Sequence, residues 1–461
     1  MKSHDFHHAL TFREDICIGC SHCMSACPTE AIRVKSGKAR LIDERCVDCG
    51  ECYRVCPVGA ISVDQNNLDE IENYKYRIAL VPAVFSGQFP DNITIEEIIQ
   101  AIYDLGFTEV YEVEHSVDFI VEEYNTYLKK EHERPFISTF CPAVVRLIQV
   151  KFPTLIPNLI LLKAPLDYTA LFARKKLIDQ GVDPKDIGVF YITPCAAKIV
   201  AIKKPLGEEK SAIDGAINMD YMFNKAFRII KNGVSSKSNK LKKPLSKPSI
   251  CWSLTTGETN NFQNVRALAI DEISNVIEFL EKVENDELDG IDFLELRACD
   301  ESCAGGILCP SNRFLTVEKL RKRGNKCEEK HQIAKPINEA EFFQIADYLR
   351  ENSLVQPIPP KSIMKLDDNV VEAMSKMKRM YEINKVLPQV DCGICGNPSC
   401  QSFAEDIVQN KADIKQCVFV QKILEQNEKL MVGDSAKIMK DIWGHKKLNK
   451  NSLRDELKDV M

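Results

Sequence analysis

Cysteine spacing carries most of the chemistry legible in this 461-residue chain, which holds 19 cysteines. Residues 17 to 28 read Cys17-x-x-Cys20-x-x-Cys23-x-x-x-Cys27-Pro28, and residues 46 to 57 repeat it as Cys46-x-x-Cys49-x-x-Cys52-x-x-x-Cys56-Pro57. Three separated segments follow: Phe136-Ile-Ser-Thr-Phe-Cys141-Pro142, Thr193-Pro-Cys195-Ala-Ala-Lys198 and Arg297-Ala-Cys299-Asp-Glu-Ser-Cys303-Ala-Gly-Gly306. A last group comprises Cys392, Cys395, Cys400 and Cys417. Thiolates are soft, anionic donors suited to iron-sulfide units, and also to zinc. The duplicated third spacing and both Cys-Pro endings favour iron-sulfur in the first two runs. The three separated segments read as one iron-sulfur site. Phe136 to Phe140 and Val189 to Ile192 are expected as buried parallel strands, and open α/β sheets place ligands just past the carboxyl ends of such strands. Glycines after Cys303 let backbone approach a bulky cluster and offer it amide donors.

The two N-terminal runs resemble the bacterial two-cluster ferredoxin pattern, in which the fourth cysteine of each run ligates the other cluster. That resemblance implies Cys17, Cys20, Cys23 and Cys56 on one 4Fe-4S cluster, and Cys46, Cys49, Cys52 and Cys27 on the second. The three later segments resemble the signature segments of the iron-iron (FeFe) hydrogenase catalytic domain. Ile98 to Phe107 and Val121-Glu-Glu123 also look like family segments, so the likeness covers most of residues 77 to 320. It implies Cys141, Cys195, Cys299 and Cys303 as ligands of a 4Fe-4S cluster, with Cys303 bridging to a di-iron subcluster that carries CO and CN ligands. It implies Lys198 as donor to one cyanide. A lysine three residues past Cys195 is otherwise an ordinary surface residue after a strand. Cys392, Cys395, Cys400 and Cys417 resemble a small 4Fe-4S domain; four cysteines alone also suit zinc, and the glycines of Cys392-Gly-Ile-Cys395-Gly favour iron-sulfur. The implied complement is four 4Fe-4S clusters and one di-iron unit.

These sites need positioning elements. After an acidic stretch, Leu68 to Tyr74, expected as a linker, Arg77 to Pro82 opens a second domain as a buried strand. Helical spacing over residues 95 to 106, 117 to 130, 143 to 151 and 167 to 180 alternates with strand-like runs such as Glu109 to Val113, which implies helices covering mainly parallel sheets. The expected architecture is an α+β ferredoxin domain (1–70), an α/β catalytic domain (76–355), a small helical 4Fe-4S domain (380–425) and a helical tail (426–461). Gly233 to Ile250, rich in Ser, Lys, Asn and Pro, is expected as a surface loop. Cys251, Cys309 and Cys327 complete no ligand set.

Composition narrows the classes. Sixty-one Lys and Arg against 67 Asp and Glu give a net charge of -6, which argues against nucleic-acid binding. No run has the length of a membrane helix, and the start lacks an apolar signal segment, so the expected location is the cytoplasm, where thiols stay reduced. No dinucleotide fingerprint or phosphate loop is present.

The departures from the hydrogenase pattern bear on purpose. Prolific members have a proton-relaying cysteine immediately before the first ligand; this chain has Phe140, whose ring can neither accept nor donate a proton. Thr193 and Arg297 stand where those enzymes often have methionine, and Ala201 where the second motif usually supplies glutamate. General acid-base transfer contributes about 10² to 10⁴ in rate, so slow turnover is expected, with H2 binding retained. The pattern resembles the sensory branch. It implies slow, reversible H2 oxidation and proton reduction in an H2-sensing role, with electrons exchanged with an external carrier such as ferredoxin and output passed to a separate signalling protein. The alternative is a non-catalytic electron carrier or cluster-assembly factor lacking the di-iron centre.

Overall fold

A computed structural model describes all residues except 1–6, 130–133, 236–244, 263, 332–338, 362–365, 368, 446 and 448–461. The chain divides into two compact units. One comprises residues 1–9, 47–49 and 64–360, and the other residues 10–46, 50–63 and 361–461.

The first unit is built on parallel strands. Glu109–Glu112, Tyr76–Val81, Ile187–Thr193 and Gly215–Asn218 form a four-stranded sheet in that spatial order, with every neighbouring pair parallel. Leu80 pairs with Tyr111 on one side and Tyr191 on the other. All seven residues of Ile187–Thr193 are buried, which explains why the strand reads as a continuous apolar run. A second parallel sheet orders Ala267–Ile270, Phe293–Leu296 and Phe136–Ile137, with Leu294 opposite both Leu268 and Ile137. Helices Ile95–Asp104, Val117–Tyr127, Pro142–Lys151, Pro165–Asp179 and Met219–Asn232 connect these strands. The α/β expectation therefore holds for this unit.

Three local expectations change. The strand before Cys141 spans two residues rather than five, because the Phe140 amide bonds the Ser138 hydroxyl (3.2 Å) instead of a neighbouring strand. Leu68–Asn73 is a 3-10 helix rather than a linker; Leu68 and Ile71, three residues apart, both bury, and Asn67 and Glu70 close a capping box at its start. Within the expected loop 233–250, residues 236–244 lie outside the described set, and Lys247–Cys251 is helical, capped by the Ser246 hydroxyl on the Ser249 amide (3.2 Å).

The second unit pairs short antiparallel strands, Leu10–Phe12 with Ile61–Val63 and Ile32–Lys35 with Lys38–Leu41. The duplicated cysteine runs fold alike. Helices His22–Ser25 and Glu51–Arg54 each follow a left-handed residue, Ser21 or Gly50, and bury the third cysteine of their run, Cys23 or Cys52. The C-terminal helices Val370–Val386, Cys400–Val408, Val418–Gln426 and Val432–Trp443 belong to the same unit. Buried Arg33 donates to Asp406 (2.9 Å), which also accepts from Asn397 Nδ2 (2.7 Å). The Val34 amide bonds the Gly396 carbonyl (2.8 Å), and Trp443 Nε1 bonds the Ile394 carbonyl (2.8 Å). Both cysteine-rich ends of the chain thus share one packed body.

Candidate iron-sulfur and di-iron site

Each of the three separated motifs follows the carboxyl end of a parallel strand, Phe136–Ile137, Ile187–Thr193 or Phe293–Leu296. Cys141 and Cys195 are the N-cap residues of helices Pro142–Lys151 and Ala196–Lys203. Thr193 shapes the second turn: its hydroxyl donates to the Cys195 carbonyl (2.9 Å) and accepts the Cys195 amide (3.3 Å). Cys299 and Cys303 flank a turn in which the Ser302 amide bonds the Cys299 carbonyl (3.0 Å). The glycines after Cys303 are forced by close backbone packing. A Cβ on Gly305 would sit 1.9 Å from the Asp300 carbonyl oxygen, and one on Gly306 would sit 2.5 Å from that of Pro194. The Leu308 amide also bonds the Pro194 carbonyl (3.0 Å), so the second and third motifs are tied backbone to backbone. The expected free amide donor is corrected at Gly306, whose N–H bonds the Cys303 carbonyl (3.1 Å).

A cavity of about 150 Å³ lies beside Cys303, with Phe140, Tyr191, Pro194, Lys198 and Ser253 in its wall. Lys198, 5% exposed, places Nζ 3.8 Å from Cys303 Sγ. Burial works against its ammonium, but the Cys303, Cys195 and Cys141 thiolates outweigh burial and hold its pKa above the ordinary lysine value, with Arg297 opposing. The Cys195 thiol is pushed up to about 11, mainly by burial; Lys198 counters this and Cys303 adds to it. Thiols crowded in this way resist ionising together, and metal binding reverses that preference. Cys141, Cys195 and Cys303, which all bear on Lys198, are donors of the kind a cluster takes, and the buried ammonium suits an anionic ligand beside Cys303. The Ser253 and Ser302 hydroxyls are buried in the same region with no hydrogen-bond partner among the described residues.

Two of the departures from the family pattern touch each other. The Phe140 ring lies between Lys198 Nζ, 4.6 Å from its centroid, and the Arg297 guanidinium carbon, 3.9 Å away. Each contact contributes about 0.5–2 kcal/mol. Arg297 is itself buried, with Nη2 3.2 Å from Glu258 Oε1 and 3.4 Å from Glu295 Oε1. Ser138 donates to Glu258 (2.9 Å), and Glu295 accepts the amides of Glu258 (2.9 Å) and Thr259 (3.0 Å). Burial raises the Glu258 carboxyl above its ordinary value, Arg297 pulls it back down, and Glu295 pushes it up. Glu258 had no motif to mark it; its partners Ser138, Glu295 and Arg297 are distant in sequence, and an isolated glutamate reads as surface.

In the second unit, Cys17, Cys20, Cys23 and Cys56 line one small apolar-walled cavity. Burial, then Cys17, Cys20 and Cys56, push the Cys23 thiol up to about 12. The Ala39 amide reaches Cys17 Sγ (3.4 Å) and the Ala60 amide reaches Cys56 Sγ (3.2 Å), donors of the kind that tune cluster sulfurs. Of the second expected set, Cys27 accepts the Ala31 amide (3.2 Å); Cys27, Cys46 and Cys52 fall in the second unit and Cys49 in the first. Cys395 is pushed up to about 12 by burial, then by Cys417, Cys392 and Cys400 once the Asn397 amide's opposing effect is overcome. Cys400 and Cys417 are buried against Leu387, Phe403, Ala404 and Ile407, and Cys392 is exposed.

Residues 75–247 match the family model described as iron only hydrogenase large subunit, C-terminal domain; residues 11–63 match a 4Fe-4S dicluster domain, and residues 387–419 an Fe-S cluster family. The chain is 31% identical over 212 residues to the periplasmic Fe hydrogenase large subunit of Nitratidesulfovibrio vulgaris, covering 41% of this chain and 50% of that one. Over 36 residues it is 50% identical to a component of the ion-translocating oxidoreductase complex of an Azoarcus strain, covering 8% of this chain and 20% of that protein. A solved FeFe hydrogenase from Chlamydomonas reinhardtii superposes with a TM-score of 0.46 at 15% identity, covering 64% of this chain and 98% of that one. The chain thus spans half the length of the first curated relative and a fifth of the second. Residues 75–247 thus resemble the FeFe hydrogenase C-terminal domain, between two stretches that match iron-sulfur cluster families.

Proposed function

We propose that this protein is a slow, H2-responsive hydrogenase with a regulatory role. Cys141, Cys195, Cys299 and Cys303 would hold a 4Fe-4S cluster, Cys303 would bridge to a di-iron unit with CO and CN ligands, and the remaining twelve assigned cysteines would hold three further 4Fe-4S clusters. The observation that carries this reading is the buried Lys198 ammonium, 3.8 Å from Cys303 Sγ in the wall of a cavity large enough to admit a ligand. A di-iron unit, when bound, supplies reversible heterolysis of H2. Lys198 orients an anionic ligand by a charge-assisted hydrogen bond. Phe140 keeps water and protons off that side of the cavity, and its contacts with Lys198 and Arg297 fix the two cations around the site. Electrons pass through the clusters to an external carrier such as ferredoxin, and the output goes to a separate signalling protein. The cysteine-rich composition suits a reducing cytoplasm.

Dye-linked H2 uptake and evolution by anaerobic, di-iron-loaded protein tests the rate. The expected result is turnover at least about 10²-fold below that of prolific family members assayed alongside, in keeping with a missing acid-base relay. Equal turnover would contradict the regulatory reading.

A further inference from the structure

The cavity beside Cys303 has charged groups in its wall besides Lys198. Its wall includes Asp167 and the pair Lys163–Glu208, and Lys163 and Glu208 also line an open cleft on the other side, with Arg174, Lys210, Asp214 and Glu351. One ion pair therefore lies on the wall common to the cavity at the candidate site and an open cleft. Lys163 is 8% exposed and makes its salt bridge with the more accessible Glu208. Asp167 opens helix Pro165–Asp179, one turn after Lys163.

We infer that Asp167, Lys163 and Glu208 form a proton route between the cavity at Cys303 and solvent, taking the place of the relay that Phe140 cannot provide. This rests on the hydrogenase reading. Oxidation of one H2 releases two protons and two electrons; the electrons leave through the clusters. Each proton binds an Asp167 carboxylate oxygen, giving the neutral acid. Asp167 then passes a proton to Lys163, through water in the cavity that both line, as the Lys163 ammonium gives one to Glu208, which releases it to solvent. Every group returns to its starting state, and proton reduction runs the same steps backwards.

The electrostatics suit this traffic. Burial raises the Asp167 carboxyl above the ordinary aspartate range, while Lys163, the Ala164 amide and Lys198 pull it down. Burial lowers the Lys163 ammonium, with Asp167 opposing. A raised acid beside a lowered base brings donor and acceptor closer in proton affinity, which favours transfer in both directions. The charged groups facing Asp167 are Lys163 from the preceding segment and Lys198 from helix Ala196–Lys203; Glu208, from the following loop, faces Lys163. Lys198 stays an ammonium throughout.

Two readouts on the full chain test the route. First, in protein carrying its 4Fe-4S clusters but no di-iron unit, the carboxylic-acid infrared band removed by Asp167→Asn is titrated. It should titrate above the ordinary aspartate range and move upward in Lys163→Met. Ordinary titration, or indifference to Lys163→Met, overturns the route whether or not a di-iron unit loads. Second, in loaded protein, exchange of H2 with D2O should fall about 10²-fold in Asp167→Asn and in Glu208→Gln, with CO and CN bands intact, and stay unchanged in exposed Glu209→Gln. Unaltered exchange in Asp167→Asn with those bands present also overturns it. Absence of the bands from wild-type protein would instead count against the hydrogenase reading.

Discussion

Arg297→Met should destabilise the first unit by about 3–5 kcal/mol, the usual cost of removing one partner from a buried charge cluster. The guanidinium answers two fully buried carboxylates, Glu258 and Glu295, and covers one face of Phe140. Methionine would fill part of the space and leave both carboxylates without a cation. The loss should grow with pH. Burial already raises the Glu258 carboxyl, and removing Arg297 raises it further. A carboxyl raised in the folded state favours folding below its ordinary pKa and loses that contribution as pH climbs through the raised value. The variant should therefore be nearest to wild type in mild acid and farthest above neutrality. Guanidinium denaturation followed by tryptophan fluorescence reads this, because Trp252 is fully buried and its carbonyl accepts from Arg297 Nη2 (3.4 Å). A loss below about 1 kcal/mol at neutral pH would show that the carboxylates find other partners.

Lys198→Met should leave the four-cysteine site intact while loosening the di-iron unit about tenfold to a hundredfold, the equivalent of losing one charge-assisted hydrogen bond of about 1.5–3 kcal/mol. The side chain lengths are comparable, so the change is chiefly the loss of the ammonium beside Cys303 and over Phe140. The intensity of CO and CN stretches per 4Fe-4S cluster, after equal exposure to the maturation machinery, measures it. Lys198→Arg keeps the charge and should retain more of the unit. Equal loading of wild type and Lys198→Met would remove Lys198 from the binding account.

What was legible in the sequence divides by the range of the interactions involved. The duplicated C-x-x-C-x-x-C-x-x-x-C-P runs and the apolar run Val189 to Ile192 are local patterns, and the alternation of 3.6-residue and strand-like periods around them sufficed to expect an α/β unit with cysteines past its strands. Phe140 could be seen to lack a proton, but its place between Lys198 and Arg297 could not, because the three residues come from three motifs far apart in sequence. The same distance concealed Glu258, and the pairing of Arg33 with Asp406 across 373 residues that joins both ends of the chain in one unit. Leu68 to Tyr74 looked like a linker because acidic residues mask a two-residue apolar face; a 3-10 turn needs no more than Leu68 and Ile71 to anchor it.

Whether the di-iron unit is present is read directly by an infrared spectrum of the anaerobically purified full chain, produced with the di-iron maturation machinery present, in the region of metal-bound CO and CN stretches. Such bands are expected, and should shift on exposure to H2. A full iron-sulfur complement with no CO or CN bands would contradict the hydrogenase reading, and would leave Cys141, Cys195, Cys299 and Cys303 holding an ordinary 4Fe-4S cluster in an electron-transfer protein.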